Sequence, residues 1–213
     1  EISADVDNEL HWIAQAGLGR TALSLNRPEI AMAVLDEAAS AHSDNVAIQK
    51  LLVPAYMKAN LPQEALITAQ HAMEMAPDDI ETLVWYSTTM LEFGDRDAAT
   101  KTIRKASDAV NIDAKSLINL ANLAIELNEL PSARKALLDL NILPEINANY
   151  LEKAARIQTK LGDFSSASEN LRKALENESS PNPAWLFEMG CLQKALGNYS
   201  SALESTRQAI SIN

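Results

Sequence analysis

Few residues in this chain are equipped for chemistry, and their spacing gives them other work. The histidines are His11, His42 and His71, and none has a second His or a Cys at metal-ligand spacing. Cys191 follows Gly190 and has no flanking residue that would favour its thiolate, so it reads as a small packing residue. Being the one cysteine, it excludes an internal disulfide and a cysteine-rich zinc site. No nucleophile elbow, phosphate-binding glycine loop or dinucleotide fingerprint occurs. Pairs such as Asp78 with Asp79 and Glu126 with Glu129 fit helix caps and solvated faces better than an acid–base pair. No catalytic residue, no metal ligand and no cofactor site is expected, and the chain is not expected to be an enzyme.

The surrounding chain has 213 residues, enough for a substantial core without disulfides or metals. Its 18 Lys and Arg stand against 29 Asp and Glu, a net charge of −11 that argues against nucleic acid as a partner. No apolar run is long enough for a membrane span. Six glycines, eight prolines and 5% aromatics, with no strand-forming runs, favour helices throughout. The chain opens on Glu1 without a basic, apolar leader, so an excised piece of a longer protein is expected. The lack of leader and disulfide is compatible with the cytoplasm, although an excised piece would have lost its leader.

Small residues recur with a fixed period. Ala31, Ala65, Ala99, Ala133 and Ala167 fall 34 residues apart, and Ala202 follows at 35. A second column holds Ala38, Ala72, Ala106, Ala174 and Ala209, with Leu140 the exception. A third holds only Asn and Gly: Asn26, Asn60, Gly94, Asn128, Gly162 and Gly197. Asn and Gly tolerate the left-handed backbone that ends a helix and turns the chain. The alanines then mark places where two helices cross too closely for a larger side chain. A further column upstream, Gly19, Val53, Ser87, Ala121, Ala155 and Gly190, reads as the facing half of that crossing.

These columns resemble the tetratricopeptide repeat, a helix–turn–helix of 34 residues, and the stretches 161–167 and 196–202 resemble it best. The resemblance implies an all-α, right-handed superhelical solenoid of six tandem units. Their boundaries are 12–45, 46–79, 80–113, 114–147, 148–182 and 183–213, preceded by a lead-in over 1–11 in which Asp5 or Asp7 caps the first helix. Departures from the family pattern are Gln15 and Gln49 at a position usually held by a large aromatic, and Pro77 as the one family-type proline. Pro54 falls inside a helix and predicts a kink, either a tolerated irregularity or a reshaping of the groove.

The family places function on a concave groove lined by the first helix of each unit. Carried onto this sequence, the resemblance puts Leu51, Met57, Trp85 and Thr88 in the groove, then Lys115, Asn119, Asn122, Lys153 and Arg156. Asn can bond both groups of an extended peptide backbone, and Lys or Arg can pair with a carboxylate. The same residues also fit an ordinary solvated face with charge pairs one turn apart. Trp85 reads either as an exposed anchor or as core filler. The carboxylate clamp of chaperone-tail-binding members is absent: Pro54 stands where its Asn belongs, Val84 and Trp85 follow, and Ile118 replaces its lysine in the other register.

The leading expectation is a non-catalytic scaffold that binds a protein or peptide in the groove. The alternatives are a structural self-assembly module and the recruiting or sensor region of a larger enzyme or regulator. The last unit lacks the polar cap that usually closes a repeat array, which leaves Leu203, Thr206, Ala209, Ile210 and Ile212 partly bare. Either the native protein continues past this end or the end packs against another chain, and the isolated fragment is expected to self-associate through it.

Overall fold

A computed structural model describes residues 2–109, 112–180 and 182–212, with side chains from His11 onward. These residues form twelve helices and no strand. They are α1 (Ile2–Ser24), α2 (Pro28–Ala41), α3 (Val46–Lys58), α4 (Pro62–Met75), α5 (Ile80–Glu92) and α6 (Arg96–Ser107). Then come α7 (Ala114–Glu126), α8 (Leu130–Asn141), α9 (Ala148–Lys160), α10 (Phe164–Glu176), α11 (Pro183–Ala195) and α12 (Tyr199–Ile212). The chain is an all-α solenoid of tandem helix–turn–helix repeats. It divides into two compact parts between Ala99 and Thr100, inside α6.

Each first helix after α1 starts on a residue that satisfies its orphan amides. Asn45, Asp79, Asp113, Asn147 and Asn182 precede α3, α5, α7, α9 and α11, and each side chain accepts a bond from a backbone N–H of the first turn. Second helices use other devices. Pro28 and Pro62 sit at the first helical position, where a missing N–H costs nothing, and Asp163 accepts from the Ser166 N–H.

Between the two helices of a repeat the chain turns on a left-handed residue. Asn26, Asn60 and Asn128 have φ of 55°, 62° and 61°, and Gly94, Gly162 and Gly197 have φ of 80°, 74° and 80°. At Gly162 the Asp163 N–H donates to the Gln158 carbonyl at 2.9 Å, closing the end of α9. The equivalent bond recurs at the other five turns.

The alanine columns are the helix crossings. Ala31, Ala65, Ala99, Ala133 and Ala167 are fully buried, as are Ala38, Ala72, Ala106 and Ala174. Their facing column is buried too, and two of its members have no room for a side chain. A Cβ on Gly19 would lie 2.7 Å from Leu35, and one on Gly190 would lie 2.5 Å from Thr206 Oγ1. In the N-terminal part, Ala31, Leu35 and Ala38 of α2 form one core with Ile48, Leu52 and Ala55 of α3. In the C-terminal part, Ala167, Leu171 and Ala174 of α10 do the same with Trp185, Met189 and Leu192 of α11. Burying a leucine such as Leu35 or Leu171 contributes about 1.5–3 kcal/mol, so stacking on the neighbouring repeat adds a substantial share to each of these two cores.

Some expectations change. Helix α1 begins at Ile2, so Asp5 and Asp7 lie within it and neither caps it, since none of residues 2–10 is the Gly or Pro that would stop a helix. Helix α3 runs through Pro54 from Val46 to Lys58. Of the residues expected bare on α12, Leu203, Ile210 and Ile212 are exposed, Thr206 is half-buried, and Ala209 is buried. Ala209 points into the α11–α12 crossing, as its column requires.

Candidate functional site

The first-helix faces of the two parts differ in character. In the N-terminal part, Leu51 and Met57 of α3 are half-buried, and Leu51 packs against the α2–α3 core. Trp85 of α5 is neither core filler nor a bare anchor. It is half-buried, and the Lys50 ammonium lies 5.9 Å from its ring centroid, within cation–π range. Lys50 also sits 3.9 Å from Asp79, the residue that caps α5. Thr88 is exposed, and its hydroxyl donates to the Val84 carbonyl at 3.0 Å. Lys58 is tied down as well: its Nζ donates to the Leu23 carbonyl at 2.9 Å, closing the end of α1.

In the C-terminal part, α7 carries Lys115, Asn119 and Asn122 in one exposed line at spacings of four and three. Asn122 donates from Nδ2 to the Ile118 carbonyl at 3.1 Å, and its amide oxygen can still accept from a donor. On α9, Lys153 is exposed and lies 5.4 Å over the Tyr150 ring. Arg156 is exposed but already occupied. It pairs with Glu152 one turn back and donates from Nη2 to Glu188 Oε1 on α11 at 2.7 Å. Its charge ties α9 to α11, a use that sequence spacing could show for Glu152 but not for Glu188, which comes from another repeat. Burial holds the Glu152 carboxyl above its ordinary value against the pull of Arg156.

Beneath this pair opens a cavity of about 530 Å3 among α9, α10 and α11. Ala155, Phe164, Leu171 and Leu192 make apolar walls, and Arg156 and Glu188 stand at its edge. Cys191 lines it and is exposed, so it is not the small packing residue its neighbour Gly190 suggests. Gly190 alone fills the helix crossing, and the next residue turns some 100° away from it. Lys160, also on the cavity lining, and Lys115 make no ion pair with a carboxylate among the described residues, while Lys153 acts on the Glu152 carboxyl only at longer range.

Among the described residues no three His, Cys, Asp or Glu gather where they could hold a metal ion. His42 sits beside Trp12, its ring centroid 6.4 Å away, while His11 and His71 are exposed. No helix of the described residues is long and apolar enough to cross a membrane.

Residues 10–80 match one family model of the tetratricopeptide repeat, and residues 148–180 match a second. The chain is a tetratricopeptide repeat protein. Solved structures agree at the level of fold. Over 97% of this chain and 93% of the other, it is similar to pilF of Pseudomonas aeruginosa, with 15% identity and a TM-score of 0.61. PilW, a widely conserved type IV pilus biogenesis factor, is similar over 92% of this chain and 91% of its own, with 17% identity and a TM-score of 0.59. MamA is similar over 75% and 93%, with 16% identity and a TM-score of 0.55. No curated protein matches the sequence. Tetratricopeptide arrays are protein–protein interaction scaffolds and are in general non-enzymatic, so protein partners follow for this one.

Proposed function

We propose that this tetratricopeptide protein is a non-catalytic scaffold that holds an acidic, partly apolar peptide or partner helix on its first-helix faces. The observation that carries the reading is the apolar cavity of about 530 Å3 with Lys160 on its lining, a lysine that makes no ion pair with a carboxylate among the described residues. A bulky side chain of the partner enters the cavity, where burying it is worth about 1.5–3 kcal/mol. Acidic groups of the partner meet Lys115, Lys153 and Lys160. Asn119 and Asn122 orient its backbone. Arg156, held between Glu152 and Glu188, shapes the cavity edge and leaves recognition of carboxylates to the lysines. In the N-terminal part Leu51, Met57 and Trp85 supply apolar contact for the same class of partner.

The test is calorimetric titration with peptides that carry Asp or Glu around a single Leu or Phe, first selected for binding from a synthetic library. Cys191→Trp fills the cavity from an exposed wall position, and Lys153→Glu with Lys160→Glu reverses the charge. Each change is expected to weaken binding by about tenfold or more, a loss of roughly 1.4 kcal/mol. Undiminished affinity in both, with the helical circular dichroism unchanged, overturns the assignment.

A further inference from the structure

The second helices present the same positions to solvent in repeat after repeat, and α8 fills two of them differently. One column is Asp36, Gln70, Arg104, Leu138, Arg172 and Arg207. The other, one turn later, is Ser40, Glu74, Asp108, Ile142, Glu176 and Ser211. Every one of these residues is exposed, Leu138 at 66% and Ile142 at 79%. In α10 the two positions hold Arg172 and Glu176, which form an ion pair one turn apart. A single exposed leucine is ordinary. An adjacent Leu and Ile at positions that stay polar in the other second helices make a patch. Helix α8 lies inside the array, with α6 and α7 before it and α9 and α10 after it, so this exposure does not depend on either end of the chain.

The patch is both a recess and a projection. Beside Leu138 a groove of about 150 Å3 opens between α8 and the α9–α10 turn. Leu137, Leu138 and Leu161 give it apolar walls, and Arg134 and Asp163 stand on its lining. Ile142, which follows the last residue of α8, projects one turn farther along. A surface that meets its own copy across a two-fold axis needs both shapes, because each side must fill the other. The charges fit the same partner. Arg134 lies one turn before Leu138 and Glu145 three residues past Ile142; both are exposed, and neither makes an ion pair among the described residues. Opposite charges at the two ends of one patch become neighbours when a second copy lies antiparallel on the first.

We infer that two copies of the chain pair through α8, antiparallel across a two-fold axis that passes between Leu138 and Ile142. Ile142 of each copy seats against Leu138 and the groove of the other, and Arg134 of each meets Glu145 of the other. The contact is isologous, so assembly closes at two copies. One helix face with a shallow groove is small for a stable interface, so the pair is weak and forms as concentration rises. No residue of α8 lines the cavity of the proposed peptide site, so pairing and peptide binding stand or fall separately.

Sedimentation velocity of the 213-residue chain over a concentration series tests this. The weight-average mass is expected to rise from the 23.2 kDa of one chain and level off at twice that value. Leu138→Arg with Ile142→Glu copies the α10 ion pair onto α8. It is expected to raise the dissociation constant more than tenfold while the helical circular dichroism stays native. Arg134→Glu and Glu145→Arg each weaken pairing when alone, since like charges then face each other. Mixed in equal amounts, the two variants pair again, because both contacts of the mixed dimer join opposite charges. A chain that stays monomeric at every concentration overturns the inference. So does growth past two copies, or association that the Leu138→Arg, Ile142→Glu double variant leaves unchanged. A mixture of the two charge variants that associates no better than either alone overturns it as well, since the copies are then not antiparallel through α8.

Discussion

A methyl group added at Gly190 would lie 2.5 Å from Thr206 Oγ1 and 3.1 Å from the Ala202 carbonyl oxygen. The threonine hydroxyl already donates to that same carbonyl at 2.8 Å, so rotating it away gives up a hydrogen bond, and the backbone oxygen can move only with α12. Gly190→Ala is therefore expected to destabilise the protein by about 1–3 kcal/mol through overpacking, despite the better helix propensity of alanine. Gly17 is the control. It lies inside α1 with open space where its Cβ would go, and Gly17→Ala is expected to stabilise by about 0.5–1 kcal/mol. Urea unfolding midpoints of the two variants read the opposite signs directly. The need for Gly190 was legible as a column of small residues. That Gly17, two residues before Gly19, has no such constraint was not, because which side of α1 faces α2 is decided by packing.

At the scale of the element, the first helices are started by side chains that fall one repeat apart, and Asp113 shows what such a start contributes. It accepts from the Lys115 and Ser116 amides at 2.9 and 3.0 Å and from the Ser116 hydroxyl at 2.7 Å. Those donors hold its carboxyl below the ordinary 3.8, the Ser116 hydroxyl most strongly. A lowered value in the folded state means a stability contribution that is complete above 3.8 and is lost as pH falls through the folded value. Asp113→Ala is expected to cost about 1 kcal/mol at neutral pH. Asp113→Asn keeps a neutral cap, so its melting temperature falls less steeply on acidification than that of the parent. Thermal melts across the acidic range compare the slopes. The turns that end the first helices were fully legible, since all six Asn and Gly of their column have positive φ. The starting column, Asn45, Asp79, Asp113, Asn147 and Asn182, is as regular in the sequence, but of its members only Asp79 is expected from the sequence as a cap.

For the molecule as a whole, a repeat array is held by contacts between neighbours, so distant changes act independently. Gly19 and Gly190 serve the same role in different compact parts and share no partner, the first meeting Leu35 and the second Thr206 and Ala202. The double variant Gly19→Ala with Gly190→Ala is expected to lose the sum of the single losses, to within about 0.5 kcal/mol. Equilibrium unfolding of both singles and the double checks it, and a large deviation would mean that the two helix crossings are energetically coupled.

The sequence by itself determined the repeat, its period, its turns and the burial of its small residues. Each of these is a local requirement, a left-handed residue or a missing side chain, that recurs every 34 residues and leaves few residue types able to meet it. Only the tertiary structure decided which exposed polar groups are free. Arg156 is taken up by Glu188, Lys50 lies over Trp85 and Cys191 faces a cavity, because each of those contacts joins residues from different repeats. A helix face tolerates many side chains, so its composition carries no record of the partner that an adjoining helix brings to it.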